Sequence, residues 1–299
     1  MIPLPSSTLI FNLIIIGLVL GAIFSLMGMG LNLVYGVMRI INFAYGEFYM
    51  VGGYALYYAA TLLGVSTVLA FPFAALAGFL VALPVERLLI RDTYTKRIER
   101  ADEYALIGTF ALSILFQNIA REIFGPFIRT PKPYFPGLIQ IFTLTISWDR
   151  IFVFISSVTI LILVYGFIKK TWIGRTWQGV SQNRAAALAL GVDIKRVSFL
   201  AFGTGGMLAA TAGALLAPVL SIYPHVGVVP LIMGFVIIVI GGLGSIEGAM
   251  IGGLIIGIIN AMISGLLSPA YADVAAYVIL MIFLTLRPTG LFGERVRRA

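Results

Sequence analysis

The 299 residues contain no cysteine and one histidine, His225. The first absence excludes disulfides, thiolate metal sites and a cysteine nucleophile. The second leaves imidazole chemistry to one side chain that follows Pro224 in a loop, and Ser245 lacks the GxSxG setting of a nucleophile elbow. An intramembrane enzyme is disfavoured on these grounds, and His225 reads as polar surface. No GxxxxGK[ST] phosphate loop and no Gly-Lys pair occurs, so the chain has no visible means of hydrolysing ATP. No charged residue precedes Arg39; the first apolar run lacks the basic flank of a secretory signal, is longer than its core, and is read as retained. There is no Gly/Ser linker, low-complexity tract or evident internal repeat, and residues 1–299 are read as a single transmembrane domain.

Charge is scarce as well, at 11% of residues against 60% apolar, and the mean hydropathy is +1.05. A water-facing fold could hardly carry such a composition. Crossing a bilayer takes about 20 mostly apolar helical residues. Such runs recur at 9–35, 43–63, 68–90, 104–124, 151–168, 199–222, 228–243, 249–267 and 270–286. The predicted fold is an all-α, polytopic helical bundle of eight or nine spans. The open case is 228–243, which is short, contains Pro230 and ends in Gly241, Gly242 and Gly244; it is either a full crossing or a re-entrant half-helix. Basic residues gather at 87–100, 169–196 and 287–298, and the positive-inside rule places all three patches in the cytoplasm. An even number of crossings must then separate the second from the third, which favours full passage of 228–243. The same rule leaves the N-terminus outside and the C-terminus cytoplasmic, with the loop carrying Arg129 and Lys132 outside. The net charge of +8 thus sits at membrane edges, and topology rather than nucleic acid accounts for it.

Three stretches carry more than span character. In 30–54, Glu47 falls roughly 10 Å into the second span, where a carboxylate needs a wet cavity or a partner. Asn42, Tyr45 and Tyr49 recur at helical spacing and form an expected polar face beside it. These residues, with Asn32 on the preceding span, are the candidate translocation path; the alternative is a carboxylate satisfied by a neighbour as structural glue. The stretch 171–196 is expected to be one cytoplasmic helix over about 175–190, with Trp177, Val180, Arg184 and Leu188 in 3.6-residue rhythm, Gly191 at its C-terminal turn and Asp193 capping the next span. Such a helix either enters a groove on a cytoplasmic partner or lies on anionic lipid. The third stretch, 199–267, is dense in glycine. Gly205 and Gly213 share a four-residue rhythm with Ala209 and Ala217, and Gly244, Gly248 and Gly252 form a second series beside Gly241 and Gly242. Small residues let helices pack closely in lipid; the other reading is a gate whose smooth faces slide. Glu247 either caps the following helix or lies at the outer mouth.

The runs GLNLVYGVMRIINFAYGEFYMVGGY, TWIGRTWQGVSQNRAAALALGVDIKRV, GGLGSIEGAMIGGL and RPTGLFG resemble the LivH-type permeases of high-affinity branched-chain amino-acid ABC transporters, in the family's order and from residue 31 to residue 293. The resemblance implies a permease of the bacterial inner membrane that works with a second, related permease, two cytoplasmic ATPase subunits that bind ATP-Mg, and an external substrate-binding protein. It makes 171–196 the ATPase-coupling segment, with Gly174, Arg175, Trp177, Asn183, Arg184 and Gly191 as its key residues. No cofactor is expected in this chain. Members often carry histidine where this chain has Tyr45 and proline where it has Glu247, so family roles at those positions do not carry over. Relatives import urea or short amides as well as amino acids, and an ion-coupled transporter using Glu47 as proton carrier, or a passive channel, are the rivals outside the family.

Overall fold

The computed structural model describes residues 7–95, 99–141, 144–287 and 290–292. Twelve helices are present among them. Helix α1 (Ser7–Met38) leads to α2 (Tyr45–Leu62) and α3 (Thr67–Val85), which runs through a π-helical turn (Glu86–Ile90) into α4 (Arg91–Thr95). Helix α5 (Ala101–Phe124) and α6 (Trp148–Lys170) flank an antiparallel hairpin of β1 (Leu138–Ile141) and β2 (Leu144–Ser147), the one departure from the all-α expectation. Short α7 (Trp172–Gln182) and α8 (Arg184–Ala189) precede α9 (Ile194–Leu220), α10 (Val228–Gly241), α11 (Ile246–Leu266) and α12 (Pro269–Leu286). Among the described residues, seven helices are long and apolar enough to cross a membrane. Two of the nine predicted spans fall outside that set. Helix α2 carries Glu47 and five tyrosines in 18 residues, and α10 has only 14 residues, about 21 Å of helix.

Missing side chains make the packing possible. Along the seam of α1 and α11, a Cβ on Gly17 would meet the backbone of Ile258, one on Gly21 that of Leu254, and one on Gly257 that of Gly21. Ser25 closes the same seam, its hydroxyl lying between two acceptors, the carbonyls of Gly21 (2.8 Å) and Met250 (2.7 Å). A second seam joins α2, α3 and α9, where Gly52 faces the backbone of Ala210, Gly213 that of Tyr49, and Gly78 that of Gly206. In lipid, where apolar burial drives little, such backbone approach supplies the dispersion contact that holds helices together.

The described residues of the first two basic patches, 87–100 and 169–196, meet at one end of the bundle; of the third, only Arg287 is among the described residues, and Arg295, Arg297 and Arg298 lie outside them. Arg39, at the end of α1, donates to the Ser181 carbonyl in α7 (2.6 Å), and Arg184 in α8 donates to the Tyr94 carbonyl in α4 (2.9 Å). The chain after α12 returns there too, with Leu291 and Phe292 donating to the carbonyls of Ile240 and Gly241. Opposite lies the loop after α5, whose Arg129 exchanges two backbone hydrogen bonds with Ile222 (2.8 and 2.7 Å). Its guanidinium stacks over Tyr57 and Tyr58, 5.5 and 5.6 Å from the ring centres. This cation is therefore spent on local packing, which explains a basic residue at the end away from the patches.

Two segments fold back into the bundle before their helices begin. After α1, Arg39 takes a left-handed φ of 59°; after α9, Ser221 takes 66°. Both are unusual for residues with a side chain. The chain then runs inward through 40–44 and 222–227. Helix α2 starts beside Gly205, to whose carbonyl the Tyr45 hydroxyl donates (3.0 Å), eleven residues into α9 and so roughly 16 Å from that helix's start. Helix α10 starts where Gly227 meets the backbone of Gly46. The segment 221–241 thus combines an inward loop with the 14-residue helix α10. Because α1 and α9 run in opposite directions, the two re-entries are inverted relative to each other, an arrangement common in transporters and invisible to sequence comparison by eye.

These seams predict a contrast between glycines. Gly213→Ala would press a methyl group into the Tyr49 carbonyl and should cost about 1–3 kcal/mol. Gly166→Ala in α6, with nothing within 4 Å, should be neutral or stabilising by roughly 0.5–1 kcal/mol. Thermal unfolding of the two variants in mild detergent reads the difference.

Candidate translocation site and coupling segment

Glu47 is 1% exposed and faces α5. Its Oε1 accepts from the Ser113 hydroxyl (2.7 Å) and from Gln117 Nε2 (2.7 Å), and Gln117 Nε2 also reaches Ser113 Oγ (3.2 Å). Its Oε2 is buried without a hydrogen-bond partner. Gln117 Oε1 in turn lies 2.8 Å from His225 Nδ1. Four side chains from α2, α5 and the loop before α10 thereby form one chain of contacts beside the Gly46 and Gly227 meeting point. His225 opens onto a cavity of about 230 Å³ lined by Arg121, Pro126, Ile128, Tyr223 and Pro224 as well.

The expected polar face is divided between two sides. Residues two apart on an α-helix point about 200° apart, so Tyr45 and Tyr49 cannot share a face with Glu47. Tyr45 turns to Gly205 of α9 and is fully buried, and Tyr49 packs against Gly213 of the same helix. Asn42 shapes the start of α2: its Oδ1 accepts from Ala44 N (2.9 Å), its carbonyl from Tyr45 N (3.4 Å), and its Nδ2 is buried and unpaired. Asn32 belongs to a different junction. Its Nδ2 donates to the carbonyls of Gly242 and Ser245 and its Oδ1 accepts from Gly244 N, clamping the turn between α10 and α11.

The sequence reading passed over the α5 side of the site. Thr109, Ser113, Gln117 and Arg121 recur every fourth residue, forming a polar ladder on one face of the helix. Thr109 Oγ1 accepts from Phe43 N (3.1 Å) just before α2, the middle pair holds Glu47, and Arg121 lines the cavity. The spacing was legible; it lay inside a segment read only as a span. His225, read as polar surface, is tied to the buried carboxylate through Gln117.

The glycines serve two purposes. Gly205 faces Val34 and Gly30, Gly241 and Gly248 face each other's backbones, and a Cβ on Gly252 would lie 3.2 Å from the Ile237 carbonyl. Gly242 (φ 108°) and Gly244 (φ 89°) instead make the turn, and nothing lies within 4 Å of Gly244. Ser245, not Glu247, caps α11 by accepting from Gly248 N (3.1 Å). Glu247 pairs with Lys169 Nζ (2.7 Å) at the end of α6, which places it at the basic end and not at the opposite mouth.

At that end the expected single helix is two. Asn183 breaks it in an extended conformation and caps α8 by accepting from Ala186 N (2.9 Å), as asparagine does where its side chain competes with the helical backbone. Gly191 (φ 82°) ends α8, and Asp193 caps α9 through Lys195 N and Arg196 N, as the spacing predicts. Gly174 lies against the backbone of Ile168, and Trp177 is buried against Phe167, ring centres 5.8 Å apart. Arg175 reaches only the Lys170 carbonyl (3.3 Å). Arg184 stacks on the Tyr94 ring at 5.2 Å, and burial lowers its pKa from the ordinary arginine value without removing its charge. Tyr94 bonds Glu86, which is fully buried and paired with Arg91 (2.9 Å). Trp172 at the start of α7 and Leu190 just after α8 are 82% and 84% exposed.

Comparison with known proteins agrees with this architecture. The family described as branched-chain amino acid transport system / permease component matches residues 13–284. The permease protein BraD of a high-affinity branched-chain amino acid transport system from Pseudomonas aeruginosa is 30% identical over 293 residues, covering 93% of this chain and 94% of BraD. LivH of Escherichia coli K12 is 31% identical over 294 residues, with the same coverage of both chains. LivM of the same organism is 27% identical over 225 residues, covering 65% of this chain and half of LivM. No solved structure matches. The chain belongs to the branched-chain amino acid transport system permease family.

Proposed function

We propose that the chain is the membrane-spanning permease subunit of an ATP-driven importer, moving branched-chain or related amino acids across the bacterial inner membrane by alternating access. The observation that carries this reading is the buried Glu47 carboxylate, with one oxygen uncommitted, where two helices begin inside the bundle. Buried charge at membrane depth marks a substrate or ion route, and helix starts inside the bilayer are where transporters hold polar ligands. Polar groups on α5 extend the route towards the cavity at His225.

The topology that goes with this reading has the N-terminus outside, the basic end in the cytoplasm and nine passes, with 221–241 completing one of them. The exposed apolar side chains of α7 and α8 then face the cytoplasm rather than lipid, as a surface for the ATPase subunits. Glycine seams provide close packing, and the turn held by Asn32 is the place where α10 and α11 change their angle. LivM-like similarity supports a second, related permease as partner, and the family reading adds two ATPases and an external binding protein. The ATPases supply the ATP-Mg chemistry that this chain lacks.

Two outcomes are expected. Glu47→Gln keeps the shape but removes the charge, and should lower amino-acid uptake into vesicles carrying the complete transporter by about 10- to 100-fold, the worth of one charge-assisted contact. Undiminished uptake at normal membrane levels rules out the role. Gly174→Val, which drives α7 off α6, and Arg184→Ala, which unlinks α8 from α4, should each reduce stimulation of ATP hydrolysis by the loaded binding protein about fivefold or more, since coupling depends on contiguous contact. Full stimulation in both variants would sink the coupling assignment.

A further inference from the structure

The Gln117 side chain occupies a position with specific chemistry on either side. Its Nε2 donates to Glu47 Oε1 and its Oε1 faces His225 Nδ1. The orientation follows from the hydrogen bonds: Glu47 Oε1 already accepts from Ser113, so a turned-over amide would set its oxygen against another acceptor. With Nε2 committed to Glu47, Oε1 can only accept, so His225 Nδ1 carries the hydrogen. One small group thus presents a donor to a buried carboxyl oxygen and an acceptor to an imidazole N–H.

A free amino acid presents the same pair at its head. Its ammonium is a donor beside a carboxylate acceptor, and it brings three donor hydrogens where the amide brings two. Glu47 has room for the extra bond, because Oε2 is buried and unpartnered. His225 is exposed and borders the cavity of about 230 Å³, whose remaining lining joins the Arg121 cation to Pro126, Ile128, Pro224 and Tyr223. That mixture suits a carboxylate next to an aliphatic side chain.

We propose that Glu47 and His225 are the clamp for the amino-acid head group, ammonium on Glu47 and carboxylate on His225, and that the Gln117 amide is an internal stand-in occupying the clamp when no substrate is present. Substrate enters by displacing Gln117, which swings aside along the α5 ladder. The ligand class is a zwitterionic α-amino acid with an aliphatic side chain. The inference rests on the permease reading above and assigns its recognition chemistry.

An internal competitor lowers the apparent affinity by the fraction of time it holds the site, and removing it should raise affinity. The test uses this chain with its partner subunits in lipid nanodiscs, without the external binding protein, and measures binding of radiolabelled leucine. Gln117→Met preserves size and loses the amide; it should bind leucine about tenfold more tightly than the wild type, the effect of removing an occupant worth about one hydrogen bond. Gln117→Leu is the second variant, should methionine disturb the fold. Adding Glu47→Gln should abolish the gain, and adding His225→Ala should remove most of it. Leucinamide, lacking the carboxylate, and 4-methylpentanoate, lacking the ammonium, should compete poorly. No gain in either Gln117 variant overturns the proposal, as does a gain that survives both added substitutions or equal competition by the two analogues. ATP-dependent uptake by the wild-type complex is measured in parallel in vesicles supplied with the external binding protein. If it imports leucine while Gln117 variants gain nothing, the clamp assignment alone fails; if it imports nothing, the permease reading fails with it.

Discussion

Everything at the centre of the molecule depends on the backbone contact between Gly46 and Gly227, each of which would drive a Cβ into the other's carbonyl. Any side chain at either position would hold the starts of α2 and α10 apart. Their closeness sets Glu47, one residue beyond Gly46, and His225, two residues before Gly227, on either side of Gln117. The left-handed turns at Arg39 and Ser221 make the contact reachable by sending both segments inward. Such backbone conformations cost of order 1–3 kcal/mol each and persist only where surrounding structure fixes them. Here the fixing is visible: Arg39 is held by Ser181, and Ile222 by Arg129.

How much of this could be read from the residues follows from what carries each feature. Long spans are written as long apolar runs, and α1, α3, α6, α9, α11 and α12 are close to their predicted bounds because length and hydropathy are local properties. The caps at Gly191 and Asp193 are local too. The places where the reading missed are of two kinds, local competitions that the overall pattern concealed and contacts between distant segments. Whether Tyr45 and Glu47 share a wall depends on helix phase, which the 3.6-residue period does contain; the expected polar face grouped Glu47 with residues on the other side. The division at Asn183 is a competition between helix continuation and side-chain capping, and the apolar rhythm on both sides concealed it. The inward course of 40–44 and 222–227 has no local signature beyond glycine, since it is made by contacts among α1, α2, α9 and α10.

The ladder on α5 is instructive because its signal was available. A threonine, a serine and a glutamine at four-residue spacing leave a span apolar overall, and a segment average dilutes them. Their meaning emerges only when Glu47 is brought against them. The buried Glu47 carboxyl meets only the neutral donors Ser113 and Gln117 and no cation; that is a different solution from the pairing of Glu86 with Arg91 at the basic end, where both charges are satisfied within the chain. The same residue type is thus closed in one place and receptive in the other.

The junction of α6 and α7 has a mechanical consequence. Gly174 sits directly on the backbone of Ile168 and Trp177 is wedged against Phe167, so there is no compliant side chain between the two helices to absorb a load. Helix α6 is little buried along its length, and few neighbours restrain it. A force applied at α7 would reach α6 with little slack and turn it as a stiff lever about its far end, carrying Glu247 and the start of α11 with it through Lys169.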